Sequence, residues 1–164
     1  MNYLIIYMSH HGTTEKVAFE LMERFGPENT TLINLENDTV PPLEDFNTVI
    51  IGGSVRAGRI QSNLSDFCRK NIRSLLDKRV GLFMCYMNED LSEMEFEDSF
   101  PRELRAHAVA KGLVGGEFLL DRMNILERLA VKKVKGVDES VSRLDHHAIE
   151  KFIADVLNSP ESKF

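Results

Sequence analysis

Short apolar runs rich in β-branched and aromatic residues alternate along this chain with stretches whose apolar positions return at helical spacing. The runs predict strands at Tyr3 to Met8, Thr31 to Leu35, Thr48 to Gly52, Val80 to Tyr86 and Val114 to Leu119. The first, third and fourth are nearly unbroken, as expected of strands covered on both faces rather than on one. Between them, Val17, Ala18, Leu21, Met22 and Phe25 fall on one side of a helix that Gly26-Pro27 should stop. Leu64, Phe67, Cys68, Leu75 and Leu76 predict a second helix, Pro101 opens a third that should run to Gly112, and Ala148, Ile149, Phe152, Ile153, Val156 and Leu157 predict a C-terminal one. The Pro-rich Val40-Pro41-Pro42-Leu43 stretch stands where another crossover helix would fit, so that connection should be short or irregular. Strand and helix in this order give a doubly wound α/β fold.

At 164 residues the chain has the length of one domain, with no internal repeat or low-complexity segment. A hydrophobic share of 43% and a charged share of 28% are ordinary for a globular protein, and no apolar stretch approaches the length of a membrane span. The N-terminus has neither a basic start nor a small-residue cleavage site, so the expectation is a cytoplasmic location. A formal charge of −6 argues against nucleic acid as a partner. Cys68 and Cys85 lack metal-ligand spacing and read as small buried residues.

In an open parallel sheet the ligand sits beyond the C-terminal strand ends, where strand order reverses. The loop Ser9-His10-His11-Gly12-Thr13-Thr14 joins the first strand to a helix N-terminus, whose free amides and dipole favour an anion. Gly12 permits close backbone approach, and Ser9, Thr13 and Thr14 offer hydroxyl donors. The alternative is that Thr13 or Thr14 merely caps the helix. Neither a triphosphate-binding G-x-x-x-x-G-K-[ST] loop nor a dinucleotide G-x-G-x-x-G fingerprint is present, and the third predicted strand ends on Gly52-Gly53 rather than on an acidic phosphoacceptor. His10 and His11 are adjacent without a third ligand, which argues against a metal.

Ser9-His10-His11-Gly12-Thr13-Thr14-Glu15 resembles the flavodoxin phosphate loop, [ST]-x-T-G-x-T, departing from it at His11, where a hydroxyl donor is lost. Ile51-Gly52-Gly53-Ser54-Val55-Arg56-Ala57-Gly58 is similar to the corresponding segment of the menaquinone-dependent protoporphyrinogen IX dehydrogenase family of heme biosynthesis. So are Val114-Gly115-Gly116-Glu117-Phe118 and Asn124-Ile125-Leu126-Glu127-Arg128-Leu129. The resemblance implies a flavodoxin-like three-layer sandwich with a five-stranded parallel sheet in the order 2-1-3-4-5 over residues 1–158, followed by a frayed tail at 159–164. It implies FMN as cofactor, with its phosphate on Ser9, His10, His11, Gly12, Thr13 and Thr14. Ser54, Val55, Arg56, Ala57 and Gly58 would lie on one side of the isoalloxazine ring and Tyr86, Met87 and Asn88 on the other. Tyr86 would stack on the ring or plug the core. Arg56 would meet an anionic substrate or the reduced flavin, or stand in solvent.

The implied activity is an FMN-dependent oxidoreductase that passes electrons from a reduced substrate to a quinone or other acceptor, with a redox protein as the other possible partner. An electron carrier without substrate chemistry and a flavin-free interaction module are the alternatives. No side chain stands out as a catalytic acid, base or nucleophile; His107, His146 and His147 fall on predicted helices. The acidic run Glu89, Asp90, Glu93, Glu95, Glu97 and Asp98 reads most simply as a solvated surface loop, and otherwise as a charge that lowers the flavin potential or attracts a basic partner. Residues 119–137 form an amphipathic insertion. Its segment 119–135 interleaves Leu119, Leu120, Met123, Leu126, Leu129, Ala130 and Val134 with Arg122, Arg128, Lys132, Lys133 and Lys135, and reads either as an ordinary surface helix or as a peripheral contact with the inner face of the membrane.

Overall fold

A computed structural model describes residues 1–118 and 141–160. Five parallel strands, β1 (Tyr3–Tyr7), β2 (Thr30–Asn34), β3 (Thr48–Ser54), β4 (Arg79–Cys85) and β5 (Ala110–Leu113), form one sheet in the order β2-β1-β3-β4-β5, as the resemblance implies. The register places Tyr7 opposite both Asn34 and Gly52, Ser54 opposite Cys85, and Met84 opposite Leu113.

Alternate residues of each strand face opposite layers, which explains the unbroken apolar runs. On one side Leu4, Ile6, Val49, Ile51, Leu82 and Met84 pack against α2 (Ser62–Lys70), α3 (Ile72–Leu76), α4 (Ser92–Ser99) and α5 (Arg102–His107). On the other, Tyr3, Ile5, Tyr7, Ile50 and Phe83 pack against α1 (Thr13–Phe25) and α6 (His146–Asn158). The second crossover has only a 3-10 turn at Leu43–Asp45, as the two prolines predict. The second predicted helix is broken into α2 and α3 at Asn71, whose side chain donates to the Phe67 carbonyl. Asp145 caps α6, its Oδ1 accepting from Ala148 N at 2.9 Å.

The last parallel strand is displaced from its expected position. β5 is Ala110–Leu113, and α5 stops at His107 instead of Gly112. Gly112 reads as a helix stop in sequence, but within β5 it makes room for α6: a Cβ there would lie 3.1 Å from the Phe152 ring. Val114 still donates to the Met84 carbonyl, and then Gly115, at φ +72, turns the chain out of the parallel sheet. Gly115–Phe118 becomes β6 and pairs antiparallel with β7 (Val141–Leu144) in a two-stranded ribbon. The segments 119–135 and 119–137, and with them Asn124 to Leu129, lie outside the described residues, as do 161–164. Among the described residues no helix is long and apolar enough to cross a membrane.

At the N-terminal edge of the sheet, Arg79 is buried with no carboxylate partner among the described residues. Its guanidinium donates to Thr48 Oγ1 at 3.3 Å, to the carbonyls of Val156 and Ser159, and to Ser159 Oγ at 2.5 Å. The cation thus meets the negative end of the α6 dipole.

Candidate functional site

The switch point lies between β1 and β3, since β2 is on one side of β1 and β3, β4 and β5 are on the other. Three segments predicted to hold the flavin leave this edge from adjacent strands: Ser9–Thr14 after β1, Val55–Gly58 after β3, and Tyr86–Asn88 after β4. Backbone bonds hold them in line, from Met8 N to Gly52 O (3.2 Å), Val55 N to Cys85 O (2.9 Å) and Tyr86 N to Gly115 O (2.8 Å).

In the first loop, Gly12 is the N-cap of α1 at φ +92, with no side-chain cap. Neither Thr13 nor Thr14 caps the helix. Gly12 N donates to Ser9 Oγ at 2.9 Å and Lys16 N to Gly12 O at 2.9 Å. The N–H groups of Thr13, Thr14 and Glu15 are left without a partner among the described residues, which is the donor set an anion at a helix N-terminus uses. Thr14 Oγ1 is also buried without a hydrogen-bond partner, alongside the Cys85 thiol, a weak partner at best. An uncapped first turn and an orphaned hydroxyl fit a phosphate group. His10 is exposed, His11 is half-buried, and their rings stand 6.2 Å apart and tilted. Among the described residues no cluster of His, Cys, Asp and Glu suits a metal.

The second loop is a tight turn. Arg56 N donates to Arg59 O at 2.9 Å, and the two residues between, Ala57 (φ +53) and Gly58 (φ +84), both have positive φ, as a type I′ turn requires. Arg56, Ala57 and Gly58 are exposed, and nothing lies within 4 Å of where a Gly58 Cβ would be. Gln61, absent from the sequence-based site, clasps the base of this turn. Its Oε1 accepts from Ser54 N at 3.2 Å and its Nε2 donates to Ser54 Oγ at 3.1 Å. Its position just before α2, seven residues after Ser54, was the only signal of this role.

In the third segment Tyr86 is half-buried and packs against the core layer formed with α2 to α5. Burial first, then the charges of Glu89 and Asp145, raise its phenol above the usual range, while a hydrogen bond with Ser92 pulls the other way. Met87 and Asn88 are half-buried.

The acidic run is not a loop. It forms a 3-10 turn at Glu89–Leu91 followed by α4, and Glu95 is buried at 6% exposure while Glu89, Asp90, Glu93, Glu97 and Asp98 remain exposed. Helical spacing separates the outward carboxylates from the inward Glu95 and Phe96. Ser99 fastens the helix to the neighbouring layer, its Oγ accepting from Ile60 N at 3.2 Å and its carbonyl accepting from Ser65 Oγ at 2.8 Å.

A residue that site reasoning did not pick out completes the edge. The Glu117 side chain on β6 is only 3% exposed and faces the first turn of α1, with Oε2 at 3.2 Å from Lys16 Nζ and Oε1 at 3.4 Å from Thr13 Oγ1. Burial pushes its carboxyl up, but hydrogen bonds from Ser142 and Lys16, the Lys16 charge and the Thr13 hydroxyl together hold it below the usual range. Burial pushes the neighbouring Cys85 thiol up to about 12.

The profile of the flavodoxin-domain family matches residues 4–145. A curated flavodoxin of Buchnera aphidicola subsp. Acyrthosiphon pisum (strain APS) is 34% identical over 92 residues, 54% of this chain and 53% of that protein. The chain thus spans about half the length of the curated relative it matches. Among solved structures, oxidised Flavodoxin 1 from Bacillus cereus superposes with a TM-score of 0.53 at 15% identity, covering 96% of this chain and 97% of that one. The rubredoxin:oxygen oxidoreductase of Desulfovibrio gigas gives a TM-score of 0.55 at 16% identity, over 96% of this chain and 37% of that one. At those identities the structures speak for the fold alone, and the match over residues 4–145 carries the assignment: the chain belongs to the flavodoxin-domain family.

Proposed function

We propose that this protein is an FMN-binding electron-transfer domain of the electron-carrier type. The observation that carries this reading is the uncapped first turn of α1, with three amides that have no partner among the described residues and a buried Thr14 hydroxyl met only by the Cys85 thiol, in a chain of the flavodoxin-domain family. In this reading Ser9, His10, His11, Gly12, Thr13 and Thr14 hold the FMN phosphate through backbone amides and hydroxyls. Ser54, Val55, Arg56, Ala57 and Gly58 flank the ring on the β3 side, with Tyr86, Met87 and Asn88 on the β4 side. FMN supplies one- and two-electron redox chemistry when bound. The protein's part is to fix the phosphate and orient the ring between the loops after β3 and β4. An absorption spectrum of purified protein after FMN addition and removal of free flavin tests the reading. A retained flavin band with quenched fluorescence is expected, and no retention at micromolar FMN favours a flavin-free interaction module.

The exposed apolar side chains of Leu91 and Met94, set among Glu89, Asp90, Glu93, Glu97 and Asp98, support a redox protein with a basic face as the electron partner. Electron-transfer rates should then fall steeply with added salt.

A second reading is favoured by the Ser54-Val55-Arg56-Ala57-Gly58 and Val114-Gly115-Gly116-Glu117-Phe118 motifs. It is an oxidoreductase like the menaquinone-dependent protoporphyrinogen IX dehydrogenases, with quinone as acceptor and the 119–135 segment against the membrane face. Oxidation of protoporphyrinogen by the FMN-loaded protein with a quinone separates the enzyme from the carrier. The carrier only shuttles electrons from a reductase to an acceptor.

A further inference from the structure

The first turn of α1 already receives one anion. Glu117 reaches it from β6, with its side chain at 3% exposure, and is held by Lys16 and Thr13 on α1 and by Ser142 on β7. A buried carboxylate is tolerated only where charge and hydrogen bonds compensate it, and here much of that compensation comes from the turn with the three free amides. Lys16 Nζ, a cation of that turn, is engaged by Glu117 at 3.2 Å, and the Thr13 hydroxyl is drawn toward the same carboxylate at 3.4 Å, a long contact. A phosphate dianion on this turn would share the helix dipole, Lys16 and Thr13 with a fixed negative charge.

We propose that Glu117 is a specificity-determining residue of the flavin site, which holds down the contribution of the phosphate so that FMN is preferred over riboflavin by less than the loop alone would give. The proposal rests on the FMN reading above. Its physical content is one like-charge interaction across the first turn of α1. Neither the ring loops nor the hydroxyl donors of Ser9 and Thr14 take part in it. In this respect Glu117 differs from Gln61, which is uncharged and serves the opposite side of the site.

The test compares two substitutions in the full chain by fluorescence titration with FMN and with riboflavin, read as the ratio of the two dissociation constants. Glu117→Gln keeps the shape and hydrogen-bonding reach but removes the charge. Glu117→Asp keeps the charge but shortens the side chain. In Glu117→Gln the preference for FMN over riboflavin should rise about tenfold, equivalent to about 1.4 kcal/mol, while Glu117→Asp stays close to wild type. An unchanged or reduced preference in Glu117→Gln overturns the proposal and leaves Glu117 as a clamp on the ribbon. An equal rise in both variants also overturns it, because the cause would then be packing. If neither wild type nor Glu117→Gln binds FMN, the flavin reading itself fails and the proposal falls with it. Glu117→Met, which fills the space without a polar group, replaces Glu117→Gln if melting shows that the amide does not fold.

Discussion

The ring of Phe83 fills the space in which a Cβ at Gly52 would have to stand, approaching to 2.0 Å of that point. Gly52 lies on β3 beside β1 and Phe83 on β4, so this close approach sets how two of the site-bearing strands meet. Gly52→Ala should therefore cost about 1–3 kcal/mol by overpacking. Urea denaturation measures the cost, and Phe83→Leu in the same chain should recover part of it.

Thr14 presents the opposite case, a buried hydroxyl with only the weakly bonding Cys85 thiol beside it. Thr14→Val has nearly the same shape, and in the flavin-free protein it should leave stability unchanged or raise it by about 1 kcal/mol, since an unsatisfied hydroxyl is removed. If that hydroxyl serves the phosphate, FMN binding should weaken about five- to tenfold while riboflavin binding is unaltered, because a single hydrogen bond to a charged group is lost. Equal weakening for both ligands would assign Thr14 to packing.

The carboxyl of Glu117 is held below its ordinary value of 4.5 in the folded protein. A group with a lowered folded pKa contributes stability that is present above the unfolded value and is lost as pH falls through the folded one. Glu117→Gln should accordingly lower the melting temperature at pH 7, and the gap to wild type should close as pH drops below about 4.5. Melting followed by circular dichroism across that range checks the sign. A gap that widens in acid would contradict it.

Burial pushes the thiols of Cys68 and Cys85 up to about 12, mainly by desolvation. At pH 8 neither is expected to react with a water-soluble disulfide reagent while the protein is folded, and both should react in denaturant. Rapid labelling of either in the native state would show that the layer covering it opens readily.

The strands buried on both faces were legible because double coverage leaves an unbroken apolar run, and the loop after β1 was legible because glycine and hydroxyl residues follow such a run directly. β5 was not. Ala110-Lys111-Gly112-Leu113 has little β-branched content, and it is a strand because α6 brings Phe152 over Gly112, a contact between distant parts of the chain. Glu117 could be named only as part of a family-like motif, since its meeting with Lys16 depends on the ribbon folding back over α1. Glu95 looked like one more surface carboxylate until α4 fixed which side of the run faces inward.

The ribbon of β6 and β7 also bears on how this protein tolerates change in length. Phe118 and Val141 are paired in register, and such partners stand about 5 Å apart. The two ends of the ribbon are therefore close together, and doubling the length of a flexible loop closed across such a gap costs only about 0.6 kcal/mol. The ribbon is in effect a socket: β6 and β7 pair with each other and not with the parallel sheet, so the register of that sheet does not depend on the length of chain between Phe118 and Val141. Glu117 sits at the base of that socket and contacts Lys16 and Thr13, so an exchange made there bears on the first turn of α1.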